Sequence, residues 1–187
     1  MPFLLLLIFL ASPAFAGGPL PESFDFPINS DTTGAQVLPA VVASPDGDDF
    51  FIVWQSESSS GGDTASTSVR GQRFDTQAVP LGAELQVNLG TLGGQRSPAA
   101  AAAGGGFVVV WESDSSGGSD SAGESIQGRR FSTAAAPLGG DFQVNSSTSG
   151  GQLQPAVAGA DGGGFLVVWQ SAGEGGDGAA SGIRGRR

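Results

Sequence analysis

The sequence predicts an all-β fold of three four-stranded antiparallel repeat units, which form an open arc or an incomplete β-propeller. The first observation behind this prediction is an apolar run ending in tryptophan that occurs three times in the 187 residues. The second is the even spacing of these tryptophans, Trp54, Trp111 and Trp169, at 57 and 58 residues. The third is a Gly-x-Arg motif that recurs every 57 residues. Repeats of about 40–50 residues are typical of propeller blades, and this period is slightly longer.

The N-terminal 16 residues are predicted to be a cleaved signal peptide. Residues 3–10 form an unbroken apolar run, and Ala14 and Ala16 are small residues at positions −3 and −1 before Gly17. An uncleaved anchor is the alternative. Because the run is far shorter than the roughly 20 residues that cross a bilayer, we expect no stable membrane span after cleavage.

The rest of the chain is predicted to be one repeat domain. A short extension covers residues 17–22, and the domain covers residues 23–187. The three repeat units fall at about 23–81, 82–138 and 139–187.

Composition narrows the compartment and the partners. Eighteen acidic residues against eight arginines give a net charge of −10, which argues against nucleic acid as a partner. The chain contains no cysteine, and export without disulfides is typical of a bacterial protein. We therefore expect a secreted, periplasmic or cell-surface location, with an unidentified protein or glycan as ligand and with self-association as a further option.

Each unit is interpreted as four short strands. The first strand ends in Asn, and the second begins near Pro, which loses no ladder hydrogen bond at that position. The third strand carries the Trp and is apolar on both faces, as expected for a strand between packed layers. The fourth strand carries Gly-x-Arg. The Asn positions are Asn29, Asn88 and Asn145, and the Pro positions are Pro39, Pro98 and Pro155.

The alanine-rich run at residues 98–103 favours a helix on propensity alone. Its counterparts, residues 39–44 and 155–159, contain valine and glycine. Because equivalent segments of a repeat share one structure, we predict a strand here as well.

The residues that recur in the third and fourth strands are predicted to be structural. Each Trp ends a doubly apolar strand, which favours core packing over a sugar-stacking platform. Each Gly marks a bulge or a close approach. The recurrent Arg is expected to pair with an acid across the ladder rather than to bind an anionic ligand. The glycines are Gly71, Gly128 and Gly185, and the arginines are Arg73, Arg130 and Arg187.

The expected ion pairs are Arg73 with Glu84 and Arg130 with Asp141, because each pair is separated by 11 residues. Asp25 and Arg187 then remain at the two ends of the domain, and closure of a ring would join them.

Two acidic segments are candidates for a calcium site, since Ca²⁺ takes six to eight oxygen ligands. The first segment is the turn with Asp46, Asp48 and Asp49. The second is the loop with Asp114, Asp120 and Glu124. The alternative is that these acids are solvated turn residues, and no other cofactor is expected.

Enzyme chemistry is mostly excluded by composition. Without His or Cys the chain has no Ser-His-Asp or Cys-His system and no Cys/His zinc site. Glycoside hydrolysis needs only two carboxylates and remains open. Glu112 is the acid that adjoins a long apolar run, but its counterparts are Gln55 and Gln170. On this basis the chain is predicted not to be an enzyme.

The repeat resembles one that is common in bacterial exported and cell-surface proteins. The resemblance covers about residues 24–187 and is carried by VWQS at 53–56, RGQRF at 70–74 and DFQVN at 141–145. It implies propeller-like units, which often accompany calcium-binding or adhesion modules in large proteins.

Three units are fewer than the usual minimum of about four propeller blades. An open arc or a truncated product, closure of a ring by several copies, and a compact three-sheet prism are the alternatives. The predicted function is an exported, non-enzymatic binding or structural module. The alternatives are a carboxylate-dependent glycoside hydrolase-like enzyme and a non-functional fragment of a longer repeat protein.

Overall fold

The computed structural model describes residues 25–57, 66–114, 123–172 and 180–187. The predicted signal peptide, the extension at 17–22 and Asp120 lie outside these residues. The described residues contain eleven strands. These are β1 (Gln36–Ala43), β2 (Asp49–Ser56), β3 (Ser68–Asp75), β4 (Leu85–Gln86), β5 (Gln95–Ala103), β6 (Gly106–Ser113), β7 (Ser125–Ser132), β8 (Phe142–Gln143), β9 (Gln152–Gly159), β10 (Phe165–Ala172) and β11 (Ser181–Arg186).

The strands form three antiparallel sheets, which confirms the predicted all-β, propeller-like class. The strand orders are β1-β2-β3-β4, β5-β6-β7-β8 and β9-β10-β11. The third sheet has three strands in the described residues, where four were expected. No helix that could cross a membrane occurs in the described part of the chain.

The alanine-rich run is part of β5, so the predicted strand is confirmed there. A register shift interrupts each of the β1, β5 and β9 ladders close to its Pro. The residue before each Pro has positive φ, at 53° in Leu38, 50° in Ser97 and 51° in Gln154. Since Pro donates no ladder hydrogen bond, the strand bulges there and resumes its pairing afterwards.

The Asn strands are placed differently from the sequence interpretation. β4 and β8 pair with β3 and β7, so each is the outer strand of the preceding sheet rather than the first strand of the next. Asn88 fixes this arrangement, because its Oδ1 accepts a 2.8 Å hydrogen bond from the Val69 backbone N–H. Asn145 does the same for Ile126, also at 2.8 Å. Residues 26–29 belong to no sheet in the described residues.

The three sheets stack face to face, and β1, β5 and β9 are neighbours along the inner side. Each sheet has a front face, which looks toward the following sheet, and a rear face, which looks toward the preceding one. The front face of the first sheet and the rear face of the second share one core around Phe51, Phe107 and Trp111. The front face of the second sheet and the rear face of the third share another around Val108 and Trp169.

Direct hydrogen bonds link successive sheets at the bulges. The side-chain oxygen of Gln55 in the first sheet accepts the N–H of Ser97 in the second, at 3.4 Å. Glu112 in the second sheet accepts the N–H of Gln154 in the third, at 2.6 Å. The bulge therefore points a backbone N–H toward the preceding sheet, where the side chain of the residue after Trp accepts the hydrogen bond.

Candidate functional site

Carboxylates gather around Arg96, near the point where the second and third sheets meet. Nε of Arg96 lies 3.8 Å from Oε2 of Glu112, and its Nη2 lies 3.6 Å from Oε1 of Glu124. The same guanidinium forms a two-pronged ion pair with Asp114. We call Arg96, Glu112, Asp114 and Glu124 the Arg96 cluster.

The ladder positions these side chains. Arg96 in β5 is the direct cross-strand partner of Glu112 in β6. Asp114 follows the end of β6, and Glu124 directly precedes β7, so both lie at the same edge of the second sheet. The Glu112 side chain is buried, whereas those of Asp114 and Glu124 are each 35% exposed. One fixed carboxylate and two solvent-accessible ones therefore converge on a single cation.

The calcium candidates are not assembled into a ligand set. Asp49 pairs with Arg73, and the Oδ1 of Asp46 accepts a hydrogen bond from the Ser44 hydroxyl, which lowers the pKa of Asp46. In the second segment, Asp114 and Glu124 face Arg96. Among the described residues no group of three acidic, His or Cys side chains could hold a metal ion. Calcium binding stays a prediction; Asp48 takes no part in the contacts above, and Asp120 lies outside the described residues.

All three Trp side chains are buried, and each makes the same hydrogen bond. The indole N–H of Trp54, Trp111 and Trp169 donates to the glutamine that opens the neighbouring inner strand, at 2.8, 2.9 and 2.8 Å. The acceptors are Gln36, Gln95 and Gln152. A buried indole with its N–H already paired offers no face for stacking on a sugar.

The predicted Arg–acid pairs are wrong in their partners. Glu84 pairs with Arg70 at 3.1 Å, and Asp141 pairs with Arg129 at 3.8 Å. Arg73 instead reaches Asp49 on the adjacent strand. A strand alternates the direction of its side chains, so Arg70 and Arg73 point to opposite faces of β3 and only Arg70 reaches the acid.

The remaining motif residues are placed as follows. Arg130 and Arg187 are exposed. Gly71 and Gly128 lie directly under aromatic rings, while Gly185 has more room around it. Close approach, rather than a bulge, is therefore what Gly71 and Gly128 provide.

Sequence reasoning missed Arg96 as the centre of the cluster. Seven of the eight arginines lie in or beside Gly-x-Arg, and Arg96 is the exception. Its position two residues before Pro98, on an inner strand, was the available signal. Glu112 and the Asp114–Glu124 loop were noticed separately, and the fold brings them together.

Glu84 holds the segment that precedes the first sheet. Its carboxylate accepts the backbone N–H and the hydroxyl of Ser30, both at 2.9 Å, as well as Nε of Arg70. Burial raises the pKa of Glu84, but these hydrogen bonds outweigh burial and leave the pKa below its ordinary value of 4.5. Because the folded-state pKa is the lower one, the stabilisation is complete above the ordinary value and is lost as the pH falls through the folded-state pKa.

Replacing Glu84 with glutamine should lower the free energy of unfolding by about 1 kcal/mol near neutral pH, since the amide keeps one acceptor and loses the charge. The difference from the wild type should shrink as the pH falls through the lowered folded-state pKa of Glu84, because the wild-type carboxyl group then also loses its charge. Urea unfolding over a series of decreasing pH values measures it, with exposed Glu57→Gln as the control. A difference that does not change with pH contradicts the assignment.

Comparison with known proteins finds no matching family model and no matching curated protein. Solved structures do match. An arabinanase from Bacillus subtilis is 12% identical with a TM-score of 0.51, over 85% of this chain and 56% of that chain. An α-L-arabinofuranosidase from Lactobacillus brevis is 9% identical with a TM-score of 0.51, over 84% of this chain and 54% of that one. A GH43 endo-arabinanase from Bacillus licheniformis is 14% identical with a TM-score of 0.48, over 80% and 52%.

The chain thus spans about half the length of the solved structures that it matches. At these identities the likeness concerns the fold, which is the sheet arrangement described above. The two matching structures with a TM-score of 0.51 are named as an arabinanase and an α-L-arabinofuranosidase, both of which are enzymes. This finding contradicts the predictions that the chain is not an enzyme and serves as a non-enzymatic module. Of the predicted alternatives, the carboxylate-dependent glycoside hydrolase is the one that this finding favours.

Proposed function

We propose that the chain is a carboxylate-dependent glycoside hydrolase that acts on an exported or environmental glycan, with the Arg96 cluster as its reacting centre. The observation that carries this proposal is the meeting of three carboxylates at one edge of the second sheet. The names of the fold neighbours, arabinanase and arabinofuranosidase, make arabinose-containing glycans the first substrates to test. The predicted signal peptide supports action outside the cytoplasm.

The separation of the carboxylates suits this chemistry. Asp114 Oδ1 and Glu124 Oε1 both lie close to Nη2 of Arg96, the latter at 3.6 Å. The two carboxyl groups are therefore no farther apart than the roughly 5–10 Å over which paired carboxylates hydrolyse glycosidic bonds. Both are solvent-accessible, so a sugar can approach them.

The roles follow from how each group is held. Glu124 makes the longer contact with Arg96 and is assigned as the proton donor to the leaving glycosidic oxygen. Asp114 is bound by two guanidinium N–H groups and is assigned as the carboxylate that takes the proton of the attacking water or attacks the anomeric carbon. Glu112 accepts the N–H of Gln154 and orients Arg96, so it is a positioning residue.

The test measures release of reducing sugar from arabinan, arabino-oligosaccharides and aryl arabinofuranosides. The wild type should hydrolyse at least one of them, and Glu124→Gln and Asp114→Asn should each lower kcat by about 100-fold or more. Thermal unfolding should change little, because both side chains are partly exposed. The matched control is Asp161→Asn, an exposed acid in the turn between β9 and β10.

Glu112→Gln separates positioning from catalysis. The first and third repeats carry Gln at this position, and Gln55 makes the equivalent hydrogen bond to Ser97. The variant should therefore fold normally and lose less kcat than the Asp114 and Glu124 variants. An inactive wild type, or full activity in both Glu124→Gln and Asp114→Asn, overturns the proposal.

A further inference from the structure

The front face of the third sheet is open, although the same face is covered in the other two sheets. Leu166 is 48% exposed and Ile183 is 76% exposed. Their counterparts in the first sheet, Phe51 and Val69, are fully buried by the second sheet. Their counterparts in the second sheet, Val108 and Ile126, are also fully buried, by the third sheet.

The rear face of the first sheet is also exposed, although the rear faces of the other two sheets are covered. Val41 is 63% exposed and Phe50 is 38% exposed. The counterpart of Phe50 in the second sheet, Phe107, is buried against the front face of the first sheet. In the described residues, one front face and one rear face are thus left uncovered. Between successive sheets of the chain, a front face is covered by the rear face of the next sheet.

Residues 26–29 already occupy the place of an outer strand against that rear face. Phe26 contacts Phe74 on the rear face of the first sheet with ring centroids 5.8 Å apart, and its counterpart Phe142 of β8 contacts Phe165 on the rear face of the third sheet at 6.4 Å. The segment is therefore built as the fourth strand of a sheet, yet it joins no sheet in the described residues.

The polar contacts around this segment repeat those of β4. The N–H of Ser30 donates to Glu84 at 2.9 Å, as the N–H of Leu89 donates to Asp141 at 2.8 Å. The side-chain amide of Asn29 donates to the carbonyl of Asp31, as that of Asn88 donates to the carbonyl of Gly90, both at 2.8 Å. Residues 26–31 thus make the same kinds of hydrogen bonds as residues 85–90.

We propose that a second copy of this chain covers these faces head to tail. The rear face of the first sheet of one copy packs on the front face of the third sheet of the other, and residues 26–29 pair with β11 as its fourth strand. Propellers have about four to eight blades, and six is the one multiple of three in that range. Two copies joined by two identical contacts therefore close a ring of six four-stranded sheets.

The polar groups at the two ends of the chain are placed to make, between two copies, the contacts that their counterparts make within one chain. Gln170 occupies the position of Gln55 and Glu112, so its side-chain oxygen receives the N–H of Leu38, the bulge residue of the other copy. Asn29 occupies the position of Asn88, so its Oδ1 receives the N–H of Ile183. Asp25 and Arg184 occupy the positions of Glu84 and Arg70, which form an ion pair in the first sheet.

The mass of the protein in solution tests whether the two apolar faces pack together. The chain from Gly17 onward should elute in size-exclusion chromatography with light scattering at twice the mass of one copy. Ile183→Glu places a charge in the covered face and should give a folded monomer. Leu92→Glu is the matched control, because Leu92 is 74% exposed and lies on neither open face. A wild type that is monomeric, or an Ile183→Glu variant that keeps the doubled mass, overturns the proposal.

A designed disulfide tests the strand pairing itself. Ile28 and Ile183 correspond to Val87 and Val69, whose backbones are joined by a 2.8 Å hydrogen bond in the first sheet. The chain has no cysteine, so Ile28→Cys with Ile183→Cys introduces the one available pair. Oxidation should give a covalently linked species of two chains. The single variant Ile183→Cys should not form this cross-link, because no second cysteine lies opposite its thiol. A ladder of larger species, or no cross-link, contradicts a two-copy ring.

These tests are independent of the proposed activity. A wild type that is monomeric and still hydrolyses a glycan would refute the ring and leave the Arg96 cluster standing. An inactive protein that still forms the covalent pair would do the reverse.

Discussion

Replacing Trp111 with alanine should lower the free energy of unfolding by about 3–5 kcal/mol, the range seen for large aromatic residues in a core. Trp111 is fully buried in the core shared by the first and second sheets. Its indole N–H donates to the side-chain oxygen of Gln95, which is also buried. The substitution therefore leaves a cavity and a buried acceptor without its donor, and both effects destabilise the fold.

Two further variants separate these effects. Trp111→Phe keeps most of the apolar volume and loses the N–H, so it should cost about 1–3 kcal/mol. Leu92→Ala removes an exposed side chain and should change stability by less than about 0.5 kcal/mol. Urea unfolding curves measure all three. If Trp111→Ala costs no more than Leu92→Ala, the stacking of the first two sheets is not as described.

The fold was predictable because the pattern that indicates each strand occurs three times in the sequence. A single alanine-rich run is ambiguous between helix and strand, but its valine- and glycine-containing counterparts removed the ambiguity for residues 98–103. The Trp strand was equally clear, since five consecutive apolar residues at a fixed period indicate a strand that is covered on both faces. Periodicity did not reveal which sheet the Asn strands join. That choice depends on hydrogen bonds such as the one from Val69 to Asn88, between residues 19 positions apart.

The candidate site was harder to predict, because it breaks the repeat. Arg96 has no arginine at the corresponding positions, Val37 and Leu153, and Glu112 corresponds to glutamine in the other two repeats. A search for recurring residues does not find positions whose residue type occurs in only one repeat. Asp114 and Glu124 were noticed as acids, but a sequence does not show that a loop returns both to one guanidinium. Departures from a repeat are where a function specific to one blade is to be sought.

The Gly-x-Arg motif gives the second large effect, because its glycine is required where a neighbouring ring covers it. A Cβ on Gly71 would lie 2.7 Å from a ring carbon of Phe51, and one on Gly128 would lie 2.8 Å from a ring carbon of Phe142. Phe51 is fully buried, so its ring cannot move aside without disturbing the core. We expect Gly71→Ala and Gly128→Ala each to lower the free energy of unfolding by about 1–3 kcal/mol, as overpacking does in other cores.

Gly185 is the matched control that the repeat itself supplies. A Cβ there would meet nothing closer than Val168 at 3.4 Å, an ordinary van der Waals contact, so Gly185→Ala should be close to neutral in the isolated chain. The three variants share one sequence motif and one ladder position and differ in whether a ring lies above the glycine. Equal losses in all three would mean that the glycine serves the backbone of the strand. A loss confined to Gly71 and Gly128 would mean that the glycine makes room for the aromatic ring of a neighbouring strand in the same sheet.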